Sequence, residues 1–328
     1  MKTALITGAT SMDGRTLTQQ LLAQDYQVIL TYRRTSNVDL QTIKDSYPAT
    51  DKLTFTFMDI CDPVSINLAI KSTLDKTPIN EFYNFASQSH VGESFSNPNA
   101  TILATGQSVF NLLDAIRQLT PATKFFQSGT SEQFGGNPIN KPYDEISKHE
   151  LRSPYSIGKE LAYNWVKFFR QTYNLFVCAA FCFNHSNQFR GPNFFIQKVV
   201  TAATRIHLGL QHGLTLGNLD FWRDESLADN CTRAFQAMLQ LPEPEDFVIG
   251  RGRAFSGHEF LSEAFNYFGL NYKRYVQYDA SLVRPNEVVK LVANPAKAIK
   301  LLNWNPEQTS LSDHIKLMCE YQLNKLSL

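Results

Sequence analysis

Apolar positions in the first half of the chain alternate between two rhythms. Short, nearly continuous apolar runs at Lys2–Thr7, Gln27–Tyr32, Leu53–Met58, Glu81–Phe85, Lys124–Gln127 and Leu175–Phe183 predict buried strands. Between them, apolar residues return every three or four positions over Met12–Ala23, Pro63–Leu74, Thr101–Leu119 and Pro154–Tyr173, which predicts helices. Pro63 opens its helix at the first turn, where a missing N–H costs nothing. Strand and helix in strict alternation imply an α/β fold built on a doubly wound parallel sheet. Ligands of such sheets bind beyond the C-terminal strand ends. Gly8, Arg33, Asp59, Ala86, Ser128 and Asn184 stand at those ends.

Past Asn184 the rhythm loosens. Helices are expected near Phe195–Leu208 and Leu227–Leu239. Ser256 with Glu259 forms a capping box opening a helix to Phe268, and Ser310 with Asp313 opens the last one, to about Leu323. Residues 1–184 therefore read as a dinucleotide-binding domain, with later returns of the chain to it. Residues 185–328 read mainly as a smaller C-terminal α/β substrate-binding lobe.

Composition adds exclusions. Of 328 residues, 43% are hydrophobic and 19% charged, an ordinary globular balance, and the net charge is +1. Neither nucleic acid nor membrane is suggested, so a charged ligand needs a local cluster. Cys61, Cys178, Cys182, Cys231 and Cys319 form no CxxC pair; they predict reduced thiols, a cytoplasmic setting and no metal centre. The apolar stretch Ala4–Ile6 is too short for a signal peptide, and no later run is long enough to span a bilayer.

The turn Gly8-Ala-Thr-Ser11-Met12-Asp13-Gly14 has a GxxGxxG frame with Ser11 at its middle glycine. Glycines there let a pyrophosphate approach the backbone and rest on a helix N-terminus; an ordinary Gly-containing turn fits equally well. The second predicted strand ends in Thr31-Tyr32-Arg33-Arg34, with no acid for a ribose 2′-hydroxyl. Guanidinium groups suit a 2′-phosphate, so the cofactor indicated is NADP. Two solvated surface arginines are the alternative. Asp59 is placed either to accept from an adenine amino group or to cap a helix.

Tyr155 and Lys159 lie one helical turn apart and share a face. An ammonium beside a phenol stabilises phenolate and is expected to lower the Tyr155 pKa from about 10, making it a base for a sugar hydroxyl. The spacing alone is common. Gln127-Ser-Gly-Thr130-Ser-Glu132 follows the fifth predicted strand, where Thr130 could hold a substrate oxygen and Glu132 could act as acid and base with a raised pKa. A polar loop capping strand ends is the other reading.

In combination these segments resemble the extended short-chain dehydrogenase/reductases, and among them the GDP-mannose 4,6-dehydratases. The resemblance runs nearly end to end, through Tyr32-Arg-Arg-Thr-Ser36, Asn84-Phe-Ala-Ser-Gln-Ser-His-Val91, Thr130-Ser-Glu132 and Arg152-Ser-Pro-Tyr-Ser-Ile-Gly-Lys159. It continues through Phe183-Asn-His185, Leu216-Gly-Asn-Leu-Asp220, Arg223-Asp224, Glu245-Asp-Phe-Val-Ile249 and Arg284-Pro-Asn-Glu287. It implies a Rossmann-type NADP-binding domain, with Thr130, Glu132, Tyr155 and Lys159 catalytic. His185 and Arg190 would help hold the cofactor, along with the Gly8–Gly14 turn, Arg33, Arg34, Asp59, Ile60, Phe85, Ala86 and Ser87. Ser87, Asn184, Lys198, Arg223, Arg284 and Glu287 would bind a GDP-sugar, Glu287 accepting from guanine.

This chain departs from the family pattern at Ser11, at Asn184-His-Ser-Asn-Gln-Phe-Arg-Gly191 and at Arg223-Asp-Glu-Ser-Leu227. The last two flank the expected sugar-nucleotide site and leave open GDP-mannose, another GDP-hexose or a GDP-heptose. The reaction implied is an internal oxidoreduction yielding a GDP-4-keto-6-deoxy sugar. A 4-keto-sugar reductase, which needs no base at C5, an epimerase of the same family, and a non-catalytic nucleotide sensor are the alternatives. A homodimer or homotetramer is implied, with the 33–36 segment near an interface in tetrameric relatives.

Overall fold

In the computed structural model, residues 1–33, 40–136, 141–283, 287–306 and 309–327 are described. The strands are β1 (Thr3–Thr7), β2 (Gln27–Tyr32), β3 (Leu53–Phe57), β4 (Glu81–Asn84), β5 (Lys124–Ser128), β6 (Val177–Cys182), β7 (Asn184–Ser186), β8 (Leu214–Leu216), β9 (Trp222–Leu227), β10 (Phe247–Ile249), β11 (Ala254–Ser256), β12 (Val276–Tyr278) and β13 (Lys290–Leu291). The α-helices are α1 (Met12–Ala23), α2 (Leu40–Asp45), α3 (Pro63–Leu74), α4 (Val91–Ser96), α5 (Pro98–Ile102), α6 (Ser108–Leu119), α7 (Pro154–Tyr173), α8 (Phe195–His207), α9 (Ala228–Gln240), α10 (Gly257–Asn266), α11 (Ala296–Leu302) and α12 (Leu311–Leu326).

The main sheet has seven parallel strands in the order β10-β6-β5-β4-β1-β2-β3. Its order reverses between β1 and β4, which opens a crevice at their C-terminal ends. Side chains alternate across it. Ile6, Leu30, Tyr83 and Phe126 face Leu17 and Leu21 of α1 and Phe235 and Met238 of α9. Leu5, Ile29, Phe82 and Phe125 face α3, α6 and α7 through Ile66, Ile70, Leu112, Val166 and Phe169. Both faces are covered, so the strands read as continuous apolar runs rather than alternating ones. Cys178 and Cys182 are buried in this core as small apolar residues, and none of the five cysteines is paired.

Six strands were expected in this sheet; β10, a three-residue strand from the second half, adds a seventh beside β6. It is too short to carry a period. The expected helix over Thr101–Leu119 is interrupted by a π-helical turn at Leu103–Gln107. A Cβ on Gly106 would lie 2.8 Å from the Gly158 carbonyl, so the interruption falls where this segment crosses α7 closely, next to Lys159. The expected helix from Leu227 starts at Ala228, because Trp222–Leu227 is strand β9.

A second core, in which Val199, Val200, Phe260, Leu261, Ile315 and Met318 join α8, α10 and α12, forms the C-terminal lobe. The small sheet between the two cores, with β9 at its centre flanked by β11, β13 and β7, is pinned by Asp224. Its fully buried carboxylate accepts from the backbone N–H of Arg251 (2.7 Å), Gly252 (2.7 Å) and Ala293 (3.1 Å). Asp224→Ala leaves buried donors without partners and should cost about 3 kcal/mol or more, seen as a lower urea midpoint at unchanged slope. A midpoint within error of the parent would remove this role.

Candidate active site

The turn after β1 is built for an anion. Ser11 is the N-cap of α1, its Oγ accepting from Gly14 N at 3.0 Å, so the residue at the middle-glycine position starts the helix rather than obstructing it. Gly8 has φ of +86°, and a Cβ on Gly14 would lie 2.4 Å from the Gly8 carbonyl oxygen. The first-turn N–H groups of α1, with no acceptor inside the helix, open onto the crevice. Below, the Thr7 hydroxyl donates to Asn84 Oδ1 (2.6 Å) and accepts from Phe85 N and Ala86 N, and Asn84 Nδ2 donates to Gln127 Oε1. This buried ladder fixes the ends of β1, β4 and β5, and with them Phe85, Ala86 and Ser87.

The cradle therefore fits a dinucleotide, and it has no room for a larger residue at its narrowest point. Gly14→Ala should weaken NADP binding at least about tenfold through displacement of the Gly8 peptide. A fluorescence titration with NADPH that returned the parental affinity would contradict this fit.

Arg33 is exposed at the end of β2, close enough to Cys61 for its charge to act on that thiol. Asp59 does not cap a helix: it accepts from Cys61 N at 2.9 Å, and Asp62 caps α3 instead. Buried Ile60 lies beside it. Arg34 and Arg284 lie outside the described residues.

His185 and Asp13 meet across the cradle, with Nε2 3.0 Å from Asp13 Oδ1 and Nδ1 2.8 Å from the Phe183 carbonyl. Both ring nitrogens face acceptors. Burial works against the imidazolium, but the Asp13 carboxylate outweighs it and raises the His185 pKa. Arg190 stacks on Phe194 at 3.7 Å, and its charge reaches Asp13, Glu225 and Tyr155.

The catalytic candidates come together. Thr130 caps the 3-10 turn Ser131–Phe134, its Oγ1 accepting from Glu132 N at 3.3 Å, and its side chain is near enough to the Tyr155 phenol to favour the phenolate. Tyr155 and Lys159 lie on one face of α7, both buried. The structure corrects the expected electrostatics. Burial pushes the Tyr155 pKa well above its ordinary value; the nearby Thr130 side chain and Arg190 offset part of this, and the charge of Glu132 adds to it. Lys159 donates to the Ser128 carbonyl at 2.6 Å, with Nζ 5.8 Å from the Tyr155 ring centroid. Burial lowers its own pKa to about 8. Taking both groups out of water disfavours both charges, and sequence spacing cannot show that cost.

The residues expected at a GDP-sugar lie farther out. Asn184 is half-buried on β7, while Lys198 is exposed on α8. The Arg223 guanidinium is buried and donates to the carbonyls of Trp222, Val288 and Val289, so it braces the segment after Glu287. Glu287 Oε2 is buried with no hydrogen-bond partner among the described residues. An acceptor left open in this way suits an incoming N–H donor.

Sequence reasoning missed three polar residues behind the Thr130 turn: Gln133, His149 and Glu160. Gln133 was legible, because Thr130-Ser-Glu-Gln133 has capping-box spacing. His149 and Glu160 carry no local signal.

The GDP-mannose 4,6 dehydratase family model matches residues 5–318. The chain is 36% identical over 331 residues to GDP-mannose 4,6 dehydratase 2 of Arabidopsis thaliana, covering 98% of this chain and 87% of that protein. The fold is similar to DesIV, a dTDP-glucose 4,6-dehydratase from Streptomyces venezuelae solved with NAD and TYD, at a TM-score of 0.87, 21% identity and coverage of 99% and 98%. It is also similar to RMD from Pseudomonas aeruginosa in complex with NADPH, at a TM-score of 0.82, 18% identity and coverage of 99% and 100%. A cofactor cradle, a Thr-Glu-Tyr-Lys cluster on the expected strand ends and a sequence match along almost the whole length agree: this chain belongs to the GDP-mannose 4,6-dehydratase family.

Proposed function

We propose that this protein is an NADP-dependent 4,6-dehydratase converting GDP-mannose, or a closely related GDP-hexose or GDP-heptose, to its GDP-4-keto-6-deoxy form. The observation carrying this reading is the Ser131–Phe134 turn, capped by Thr130 through Glu132 N, which brings the Thr130 side chain and the Glu132 charge within electrostatic reach of the Tyr155 phenol. It sets a carboxylate beside the Tyr–Lys pair, and a 4-keto-sugar reductase has no need of one there. Relatives named for this activity support the substrate class. Arg33 at the end of β2 favours NADP over NAD.

When bound, NADP takes up hydride from C4 of the sugar and returns it to C6. The chain handles the protons. Tyr155 must act as phenolate, against the cost of burial, to remove the proton of the 4-hydroxyl; Lys159 provides positive charge beside it, and Thr130 holds the C4 oxygen. The resulting ketone acidifies the C5 proton. Glu132 takes that proton and passes it to the departing 6-hydroxyl, which leaves as water. The proton first taken by Tyr155 remains for C5, so the balance closes. Glu287 is assigned to accept from the guanine base, and Asn184, Lys198 and Arg284 to the sugar nucleotide.

The test is incubation with GDP-mannose and NADP followed by NMR. A 4-keto-6-deoxy product without net NADP consumption is expected. Turnover of another GDP-sugar alone would correct the substrate, and NADPH-dependent reduction of a 4-keto sugar would replace the reading.

We further infer a cytoplasmic homo-oligomer. Among the described residues no helix is long and apolar enough to cross a membrane. The exposed apolar side chains of Leu103, Ile157 and Phe168 support association through the α7 side. Light scattering on the purified protein decides between monomer, dimer and tetramer.

A further inference from the structure

The turn carrying Thr130 and Glu132 must keep its place against α7, which carries Tyr155 and Lys159. Among the described residues, two side-chain hydrogen bonds join them. One is Lys159 Nζ to the Ser128 carbonyl, at 2.6 Å. Lys159 belongs to the reacting cluster, so this tie is shared with catalytic duty. The other uses no reacting group. Gln133, fully buried, accepts from Thr130 N through Oε1 at 3.2 Å and donates from Nε2 to Glu160 Oε2 at 2.8 Å. The same carboxylate oxygen faces His149 Nδ1 at 2.7 Å.

The orientation of this chain is fixed by chemistry. A carboxylate only accepts, so the Gln133 amide must turn its NH2 to Glu160 and its oxygen to Thr130 N. The His149 ring packs edge-on against Phe134 and Phe181, with centroids 5.3 and 5.2 Å away, which prevents the Glu160 partner from swinging out. The Glu160 carboxyl is held below its ordinary pKa by donors from His149 and Gln133 despite partial burial. Past the end of β5, Thr130 N has no strand to pair with, and an unpaired buried N–H would let the turn relax.

We propose that Gln133, oriented by Glu160 and His149, is a positioning residue for the dehydration step: it holds Thr130 and Glu132 in register with Tyr155. This rests on the 4,6-dehydratase reading. A displacement on the order of 1 Å at reacting groups costs roughly a hundredfold in rate, so the supporting shell matters without touching substrate.

The test uses the full chain with NADP and GDP-mannose. Gln133→Leu keeps the volume and removes the tie. Its kcat should fall about tenfold to a hundredfold, with KM within about threefold, and the isotope effect from deuterium at C5 should rise as Glu132 becomes the slow group. Glu160→Leu should match it. Glu160→Gln keeps an accepting oxygen and should restore activity to within about threefold of the parent. The double variant Gln133→Leu/Glu160→Leu should be no slower than either single one, since one tie can be broken only once. Amide exchange in the 128–135 peptide should quicken in Gln133→Leu.

An unchanged kcat, additive losses in the double variant, or a loss that tracks the folded fraction with isotope effects unmoved would each overturn the proposal. If the parent protein makes no 4-keto product, the reaction assignment fails instead, while the exchange measurement still decides whether the tie holds the turn.

Discussion

Glu132→Gln is expected to lower formation of the 4-keto-6-deoxy product by about a thousandfold or more, because the proposed mechanism gives this one carboxylate both proton transfers, at C5 and O6. The amide is nearly the same size and keeps an oxygen, but it cannot take the C5 proton. Thr130 still caps the turn through Glu132 N, a backbone group the substitution leaves alone. Folding and NADP affinity should therefore stay at parental values. Removal of hydride from C4 should continue, giving a single-turnover absorbance rise at 340 nm without water loss. Unimpaired dehydration in this variant would show that another group serves C5 and would return the protein to the reductase and epimerase alternatives.

Tyr155→Phe should stop the sequence one step earlier. The variant loses the proton acceptor for the 4-hydroxyl, so the single-turnover absorbance rise should itself fall about a thousandfold or more. Tyr155 is buried, so removing its hydroxyl brings a modest stability change. Lys159 contributes charge to the same step. Its pKa, lowered to about 8 by burial, means that the ammonium is present below that pH and is lost as pH rises through it. The rate of the first step at low substrate should accordingly fall on the alkaline side of about pH 8. A first step flat through pH 10, or a Tyr155→Phe variant still oxidising C4, would remove these two residues from their assigned roles.

The legibility of the site followed how local each signal was. Ser153, Pro154 and the Tyr155–Lys159 spacing belong to one helix, and α7 begins and ends where its pattern does. Thr130 and Glu132 were visible as polar residues directly after an apolar run, and the capping geometry around them involves only near neighbours. The partners of His149 and Glu160 come from different segments, and neither residue has a periodic context. Asp13 and His185 sit 172 positions apart; each could be assigned to the cofactor region, but their pairing could not. The π-helical turn at Leu103–Gln107 was invisible for the same reason, because its cause is the crossing with Gly158.

Hydrophobic period was enough to determine the parallel α/β sheet and its crevice; turn chemistry and motif spacing singled out the glycine turn and the four catalytic candidates, and the family resemblance gave them their roles. These depend on contacts within a strand, a turn or a helix, and such contacts are written in adjacent letters. Tertiary structure alone decided the seventh strand, the anchoring of Asp224, the Gln133–Glu160–His149 tie and the protonation of the Tyr155–Lys159 pair. Each of these depends on which distant groups are brought together and how much water is removed around them. Burial raises the Tyr155 pKa where a neighbouring ammonium was expected to lower it, and it lowers that of Lys159. It is a property of the packed interior and of no single segment.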